Sequence, residues 1–129
     1  MTLLLDTHAF LWFVLDEPRL SATAKAAIGD PANEILLSPA SYWEIAIKVS
    51  IDKLTLQQPF LPFIDAQIAA NRLTVLHITP QHAAVVATLP YHHRDPFDRL
   101  LIAQALAENI PLISGDPVLD AYGVQRVWQ

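Results

Sequence analysis

The 129-residue sequence contains no cysteine. Disulfide bonds, thiolate zinc sites and cysteine nucleophiles are therefore excluded, and the composition agrees with a reducing compartment. The chain also has no apolar run approaching the ~20 residues that a membrane span needs, and its start lacks the basic and apolar regions of a signal peptide. We therefore expect a soluble, cytoplasmic protein.

Basic residues are also scarce, because 8 Lys and Arg stand against 13 Asp and Glu and give a net charge of −5. Proteins that bind nucleic acid through bulk electrostatics usually carry a basic patch or stripe. If RNA or DNA is the substrate, its contacts must be local. Arg94, Arg99 and Lys48 lie close in sequence to acids and could frame such a contact.

Apolar residues are abundant, at 53% of the chain. This fraction predicts a large core or an apolar surface that binds a partner, and it favours oligomerisation. The length predicts one domain over residues 1–129. Trp12 and Trp43 lie at helical spacing among apolar residues, which favours core packing over a platform for stacking bases.

Short apolar or β-branched runs bounded by turn residues predict five strands. They cover Thr2–Leu5, Glu34–Leu37, Thr74–Ile78, Pro111–Ser114 and Gly123–Trp128. A capping residue followed by proline predicts a helix start at Ser38, Thr79, Asp95 and Asp116. Three of these starts follow a strand almost directly, as in β–α units. We therefore predict an α/β/α sandwich with a central, mainly parallel five-stranded sheet.

Four acids lie in strongly apolar segments, mostly where a strand or helix presents its end. They are Asp6, Glu44, Asp98 and Asp116. An uncompensated charge in such surroundings costs several kcal/mol. Ligands of open parallel sheets bind beyond the carboxyl ends of the strands, where Asp6 and Asp116 are expected. Because converging carboxylates need a proton or a cation, the pattern predicts a metal site.

Each acid also has a simpler structural interpretation. Asp6 and Asp116 are suited to N-cap the helices that follow them. Glu44 could form an ion pair with Lys48 one helical turn later. These roles explain the acids one at a time but not their grouping at one edge of the sheet, which favours a functional site.

The segment DPFD supplies two acids at one helix start, with Asp95 at the N-cap and Asp98 in the first turn. We interpret Asp95 as mainly structural and Asp98 as the metal ligand. Ser114 precedes Asp116 by two residues on one strand, so its hydroxyl faces the same side and could bind a phosphate or be satisfied internally. Ser114, Arg99 and Asp95 are the candidate substrate contacts.

Oxygen ligands without cysteine favour a hard cation, Mg²⁺ or Mn²⁺. Zinc is the alternative, because His8, His92 and His93 lie near two of the acids. No histidine spacing typical of a zinc site occurs, however. Surface or hydrogen-bonding roles are the commoner interpretation of such histidines.

These segments resemble the PIN-domain ribonucleases, most closely the VapC-type toxins of bacterial toxin–antitoxin pairs. LLLDTHAFLW is similar to the family's first strand and acid, SPASYWEIAIK to the helix with the second, DPFDRLLIAQA to the segment with the third, and LISGD to the strand before the fourth. The resemblance implies that the four acids named above form the catalytic quartet. Asp6, Asp98 and Asp116 would bind the metal, and Glu44 would be a ligand or a general base.

The resemblance further implies Mg²⁺- or Mn²⁺-dependent cleavage of RNA, a homodimer, and inhibition by a VapB-like antitoxin. Two other interpretations remain open. One is a PIN-like module that keeps the fold for binding and has lost catalysis. The weaker one is a metal-dependent phosphatase of the haloacid-dehalogenase type, which requires a second Asp where this chain has His8.

Overall fold

A computed structural model describes residues 1–129. The strands are β1 Thr2–Leu5, β2 Glu34–Leu37, β3 Thr74–Val75, β4 Leu112–Ile113 and β5 Arg126–Val127. The α-helices are α1 Thr7–Val14, α2 Ala22–Gly29, α3 Pro39–Ser50, α4 Phe60–Ala70, α5 Pro80–Thr88 and α6 Pro96–Glu108, and a 3₁₀ helix spans Pro117–Tyr122. The predicted bounds of β1 and β2 are confirmed, whereas the other three strands are shorter than predicted. None of the helices combines the length and apolar character that a membrane crossing requires.

The five strands form one sheet in the order β3-β2-β1-β4-β5, and every neighbouring pair is parallel. The chain builds outward from β1 to β3, then crosses to the other side to form β4 and β5. The strand order therefore reverses between β1 and β4, where open α/β sheets bind ligands. Leu5 pairs with Ile113, so Asp6 and Ser114 follow side by side at the carboxyl edge.

Two apolar clusters cover the two faces of the sheet, because alternate strand residues point to opposite sides. Leu3 and Leu5 belong to one cluster, together with Phe10 of α1. Leu4 belongs to the other, together with Leu101 of α6. The predicted α/β/α sandwich is confirmed by this arrangement.

The four predicted capping residues all begin a helix. The side chains of Ser38, Thr79, Asp95 and Asp116 each accept a hydrogen bond from a backbone N–H of the first turn, and proline follows each of them. The cap bonds the donors that a helix start leaves unpaired. The turn after Asp116 is a 3₁₀ helix. The caps set where α3 and α6, which carry two of the candidate acids, leave the sheet edge.

The prediction that Trp43 packs in the core is wrong. Its side chain is 60% exposed, whereas Glu44 and Ile45 on the same helix are buried. Residues one apart on a helix are separated by about 100°, so the face that buries Glu44 and Ile45 turns Trp43 outward. Trp12 is partly buried and packs against the first cluster, as predicted.

Gly115 lies between Ser114 and Asp116, where a side chain has no room. A Cβ atom at this position would lie 2.9 Å from Cε2 and Cζ2 of Trp128. We expect Gly115→Ala to lower the free energy of unfolding by roughly 1–3 kcal/mol, because the indole or the strand must shift. Urea denaturation measures the change.

Gly29→Ala is the matched control, since no atom lies within 4 Å of its added Cβ. Gly29 is the last residue of α2, where alanine favours the helix and restricts the unfolded chain. Equal stability losses in the two variants would contradict the steric account of Gly115.

Candidate metal centre

Asp6 follows β1 directly and is 7% exposed. Its Oδ1 accepts a hydrogen bond from the backbone N–H of Ala9 at 2.6 Å, so the residue caps α1 as well as facing the sheet edge. Burial raises the pKa of Asp6, and a hydrogen bond with the Ser114 hydroxyl opposes that rise in part. A buried carboxyl of raised pKa at a strand end is a typical feature of functional sites.

Ser114 links the acids that follow β1 and β4. It is fully buried, and its Oγ accepts the backbone N–H of Asp116 at 3.1 Å. The Ser114 hydroxyl also lies beside Asp6 and lowers the pKa of that carboxyl. Ser114 therefore lies between the two acids, and the substrate contact that the sequence suggested stays a prediction.

Glu44 is 5% exposed, and its two carboxylate oxygens differ in their contacts. Oε2 lies 3.0 Å from Nζ of Lys48, so the predicted ion pair is present. Oε1 is buried and has no hydrogen-bond partner. Leaving a buried carboxylate oxygen unpaired costs more than 1 kcal/mol, and such an atom calls for an explanation in ion binding or catalysis.

Asp98 is the third residue of α6 and is partly buried. Burial raises the pKa of Asp98 to about 7, and the negative charges of Asp95, Asp6 and Glu44 add to the rise. His93 acts in the opposite direction. The carboxylates from β1, α3 and α6 therefore lie close enough to repel one another, and a divalent cation would remove that repulsion.

His93 lies between two of the acids. Its Nε2 is 3.1 Å from Oδ2 of Asp98 and 3.1 Å from Oδ2 of Asp116. One ligand atom from each of these residues lies within 4.8 Å of the others, so distances alone would permit a shared metal.

The tautomer of His93 argues against its being a ligand. Nδ1 accepts the backbone N–H of Asp95 at 3.1 Å. A neutral imidazole has one donor and one acceptor, so Nε2 carries the hydrogen and cannot coordinate a metal. His93 instead donates a hydrogen bond to Asp116, and its Nε2 also lies 3.1 Å from Oδ2 of Asp98, so the ring holds the two carboxylates on either side of it. Sequence reasoning favoured a surface or hydrogen-bonding role for the three histidines but did not single out His93 or its acid partners, although its position two residues before a helix cap was a usable signal.

Removing His93 should weaken metal binding without removing a ligand. Groups that orient metal ligands typically contribute 10- to 100-fold to affinity. We therefore expect His93→Ala to weaken Mn²⁺ binding by roughly tenfold or more, and His93→Gln, which retains an N–H donor, to restore part of the loss. Electron paramagnetic resonance titration of free Mn²⁺ measures both affinities.

His92→Gln is the control for His93, because His92 is exposed and contacts the ring of Tyr122. Pulsed measurements on bound Mn²⁺ test the assignment directly. A nitrogen coupling typical of a coordinated imidazole, lost in His93→Ala, would show that His93 is a ligand after all.

Arg99 and Asp95 serve the structure around the site. The buried Arg99 guanidinium donates to the carbonyls of Pro90 at 2.9 Å and Leu89 at 3.2 Å, and it stacks 4.0 Å from the centre of the Tyr91 ring. Oδ1 of Asp95 accepts the N–H of Phe97 at 2.8 Å. Both residues hold the segment that carries His93 and Asp98. Their predicted contact with substrate remains a prediction.

The donor set fits a hard divalent cation. Four carboxylates from separate segments supply oxygen ligands, which Mg²⁺ and Mn²⁺ prefer. A bound cation would give the buried Oε1 of Glu44 a partner and would offset the repulsion that raises the pKa of Asp98. Asp98 and Asp116 each offer a carboxylate oxygen within 4.8 Å of the other, whereas Asp6 and Glu44 lie near enough for their charges to act on Asp98.

Comparisons with known proteins agree with the fold. A family model of the PIN domain matches residues 3–125. The curated protein Ribonuclease VapC22 of Mycobacterium tuberculosis (strain ATCC 25618 / H37Rv) is 33% identical over 131 residues, which cover 98% of this chain and 98% of that protein.

Solved structures share the architecture at lower identity. VapBC2 from Rickettsia felis, bound to a DNA fragment from their promoter, matches with a TM-score of 0.72 at 14% identity over 98% of this chain and 99% of that one. VapBC-1 from nontypeable Haemophilus influenzae matches at 0.67 and 20% identity over 98% and 96%. FitAcB from Neisseria gonorrhoeae matches at 0.63 and 18% identity over 96% and 95%.

Proposed function

The chain belongs to the PIN domain family, and from that premise we propose that it is a divalent-metal-dependent endoribonuclease and the toxin of a toxin–antitoxin pair. The observation that carries the proposal is the buried Glu44 oxygen, which has no hydrogen-bond partner. Its charge also adds to the raised pKa of Asp98. A site whose acids need a cation, in a family with ribonuclease relatives, is suited to hydrolysis of a phosphodiester.

Each acid has a proposed role in that reaction. Asp6 and Asp98 bind the cation directly, and Asp116 binds it directly or through a water molecule. When bound, the cation neutralises charge on the scissile phosphate and lowers the pKa of a water molecule. Glu44 completes the ligand set or accepts the proton of the attacking water. His93 keeps Asp98 and Asp116 oriented while the phosphate approaches.

The bond that breaks follows from attack by water. In-line displacement at phosphorus by a water oxygen expels the 3′ oxygen of the preceding nucleotide, so the products carry a 5′-phosphate and a 3′-hydroxyl. The ribose 2′-hydroxyl takes no part in this step. A 2′,3′-cyclic phosphate end would contradict the proposed chemistry.

The solved relatives are named as pairs, which supports a protein partner here. We propose that a VapB-like antitoxin covers the acidic site, that two copies of the chain form a homodimer, and that both processes occur in the cytoplasm. Mg²⁺ and Mn²⁺ are the proposed metals, since the donor atoms are oxygens.

A cleavage assay on a mixed RNA pool tests the activity. The protein is incubated with Mn²⁺ or Mg²⁺, with EDTA, and in parallel with an Asp6→Asn plus Asp98→Asn variant purified identically. Cutting that needs both the metal and the acids is expected. A protein that binds Mn²⁺ with the expected affinity but cuts none of a broad set of RNAs would instead be an inactive binding module.

A further inference from the structure

A groove of about 410 Å³ runs between α3 and the start of α6. Its wall includes the buried acid Glu44 and the apolar side chains of Ile47, Ile51 and Phe97. We call this surface the α3–α6 groove. Because Glu44 contributes to both, the groove is continuous with the metal centre, and a polymer bound at the metal centre can extend into it.

Phe97 lines the groove, and the ring of Trp43 packs against it from outside the lining. The 60% exposed Trp43 meets Phe97 edge-on, with ring centres 5.2 Å apart. Each ring immediately precedes an acid of the site, since Trp43 is followed by Glu44 and Phe97 by Asp98. An exposed indole fixed by a neighbouring ring offers a flat surface on which a nucleobase can stack.

The cations of this acidic chain are distributed unevenly. Five of the eight Lys and Arg side chains are engaged by carboxylates or carbonyls, namely Arg19, Lys25, Lys48, Arg99 and Arg126. The remaining three, Lys53, Arg72 and Arg94, form no ion pair or side-chain hydrogen bond. Lys53 and Arg94 both line the α3–α6 groove, and Arg72 lines a different one. The groove therefore holds most of the chain's uncommitted positive charge.

We propose that the α3–α6 groove binds the single-stranded RNA that flanks the cleaved phosphate, with one base stacked on Trp43 and backbone phosphates at Lys53 and Arg94. This inference rests on the proposed ribonuclease function. Single strands are commonly bound by bases stacked on aromatic rings together with cations that contact the phosphate backbone. Binding in this groove would let a protein of net negative charge bind RNA, because the positive contacts are few and local.

The test measures binding of a short, fluorescein-labelled, single-stranded RNA of mixed sequence by anisotropy, in the full-length chain carrying Asp6→Asn to suppress cleavage. In that background, Trp43→Ala is expected to weaken binding about tenfold, and Trp43→Phe should retain most of the affinity. Lys53→Ala and Arg94→Ala should each reduce the slope of log affinity against log salt concentration by about 0.7.

Arg72→Ala is the matched control, because it removes an uncommitted cation from outside the groove. It is expected to keep the affinity and the salt slope of its parent. Melting temperatures and Mn²⁺ affinities, measured in the otherwise wild-type chain, should be the same with and without Trp43→Ala, which separates RNA binding from folding and from the metal centre.

Two results would overturn the proposal. One is unchanged RNA affinity and salt dependence in the Trp43, Lys53 and Arg94 variants. The other is unchanged RNA affinity together with a dimer that dissociates in Trp43→Ala, which would make the groove an interface between two copies. A protein that never cuts or binds RNA would instead remove the proposed function itself.

Discussion

Asp98→Asn is expected to lower metal-dependent RNA cleavage by roughly a thousandfold or more, since a metal ion typically contributes several kcal/mol to such a transition state. Asparagine keeps the shape of the side chain but removes the negative charge that binds the cation. Burial and neighbouring acids oppose the negative charge of Asp98, so a bound cation would interact strongly with this carboxyl. Initial rates at saturating Mn²⁺ measure the loss of cleavage activity, and direct Mn²⁺ titration measures the loss of metal affinity.

Asp65→Asn is the control for this substitution. Asp65 is an exposed acid of α4 that takes part in no ion pair or side-chain hydrogen bond, so the change removes an equal charge outside the site. Its cleavage rate should equal that of the unmodified chain. If Asp98→Asn retained Mn²⁺ affinity and most of the cleavage rate, Asp98 would be a helix residue without a place in the metal centre.

We also expect the metal-free protein to become less stable as the pH rises from about 5 to about 8. The pKa of Asp98 is raised to about 7, whereas a carboxyl in an unfolded chain titrates near pH 4. The folded state therefore binds this proton more tightly than the unfolded state. The resulting stabilisation is complete below about pH 4 and is lost as the pH rises through about 7. Burial raises the pKa of Asp6 as well and acts in the same direction.

Divalent cations should reverse that loss. A cation competes with the proton, so Mn²⁺ is expected to raise the melting temperature little near pH 5.5 and most near pH 8. Without metal, the free energy of unfolding should fall by a few kcal/mol over this pH range, which lowers the melting temperature by roughly ten degrees for a chain of this size. Calorimetry in EDTA and in Mn²⁺ at both pH values measures the effect.

The Asp98→Asn variant supplies an internal check on the titration, since it should flatten the pH dependence of the metal-free melting temperature and raise that temperature near pH 8. A metal-free melting temperature that stays constant or rises between pH 5.5 and pH 8 would contradict the burial and crowding of these carboxyls.

Features governed by neighbouring residues were predictable from the sequence. The bounds of β1 and β2 follow from short apolar runs between turn residues, and the helix starts follow from caps and prolines. The convergence of Asp6 and Asp116 was also predictable, because parallel strands bring their carboxyl ends to one edge. Each of these inferences needs only local geometry and one rule of topology.

Features that depend on packing were not predictable in the same way. The apolar neighbours of Trp43 suggested burial, yet the contacts of α3 decide which face is covered. The role of His93 depends on a backbone N–H that orients its ring. Arg99 follows Asp98 in sequence, but the helix turns it away to bind carbonyls of the preceding loop.

Lys48 pairs with Glu44, and His93 pairs with Asp98 and Asp116. These contacts separate folding from metal binding. Internal partners and the proton on Asp98 offset part of the repulsion, so the chain can complete folding before any cation arrives. Loading is then a later and reversible equilibrium. Molecules without a bound cation should therefore be folded but inactive, and the active fraction should follow the concentration of free divalent ions.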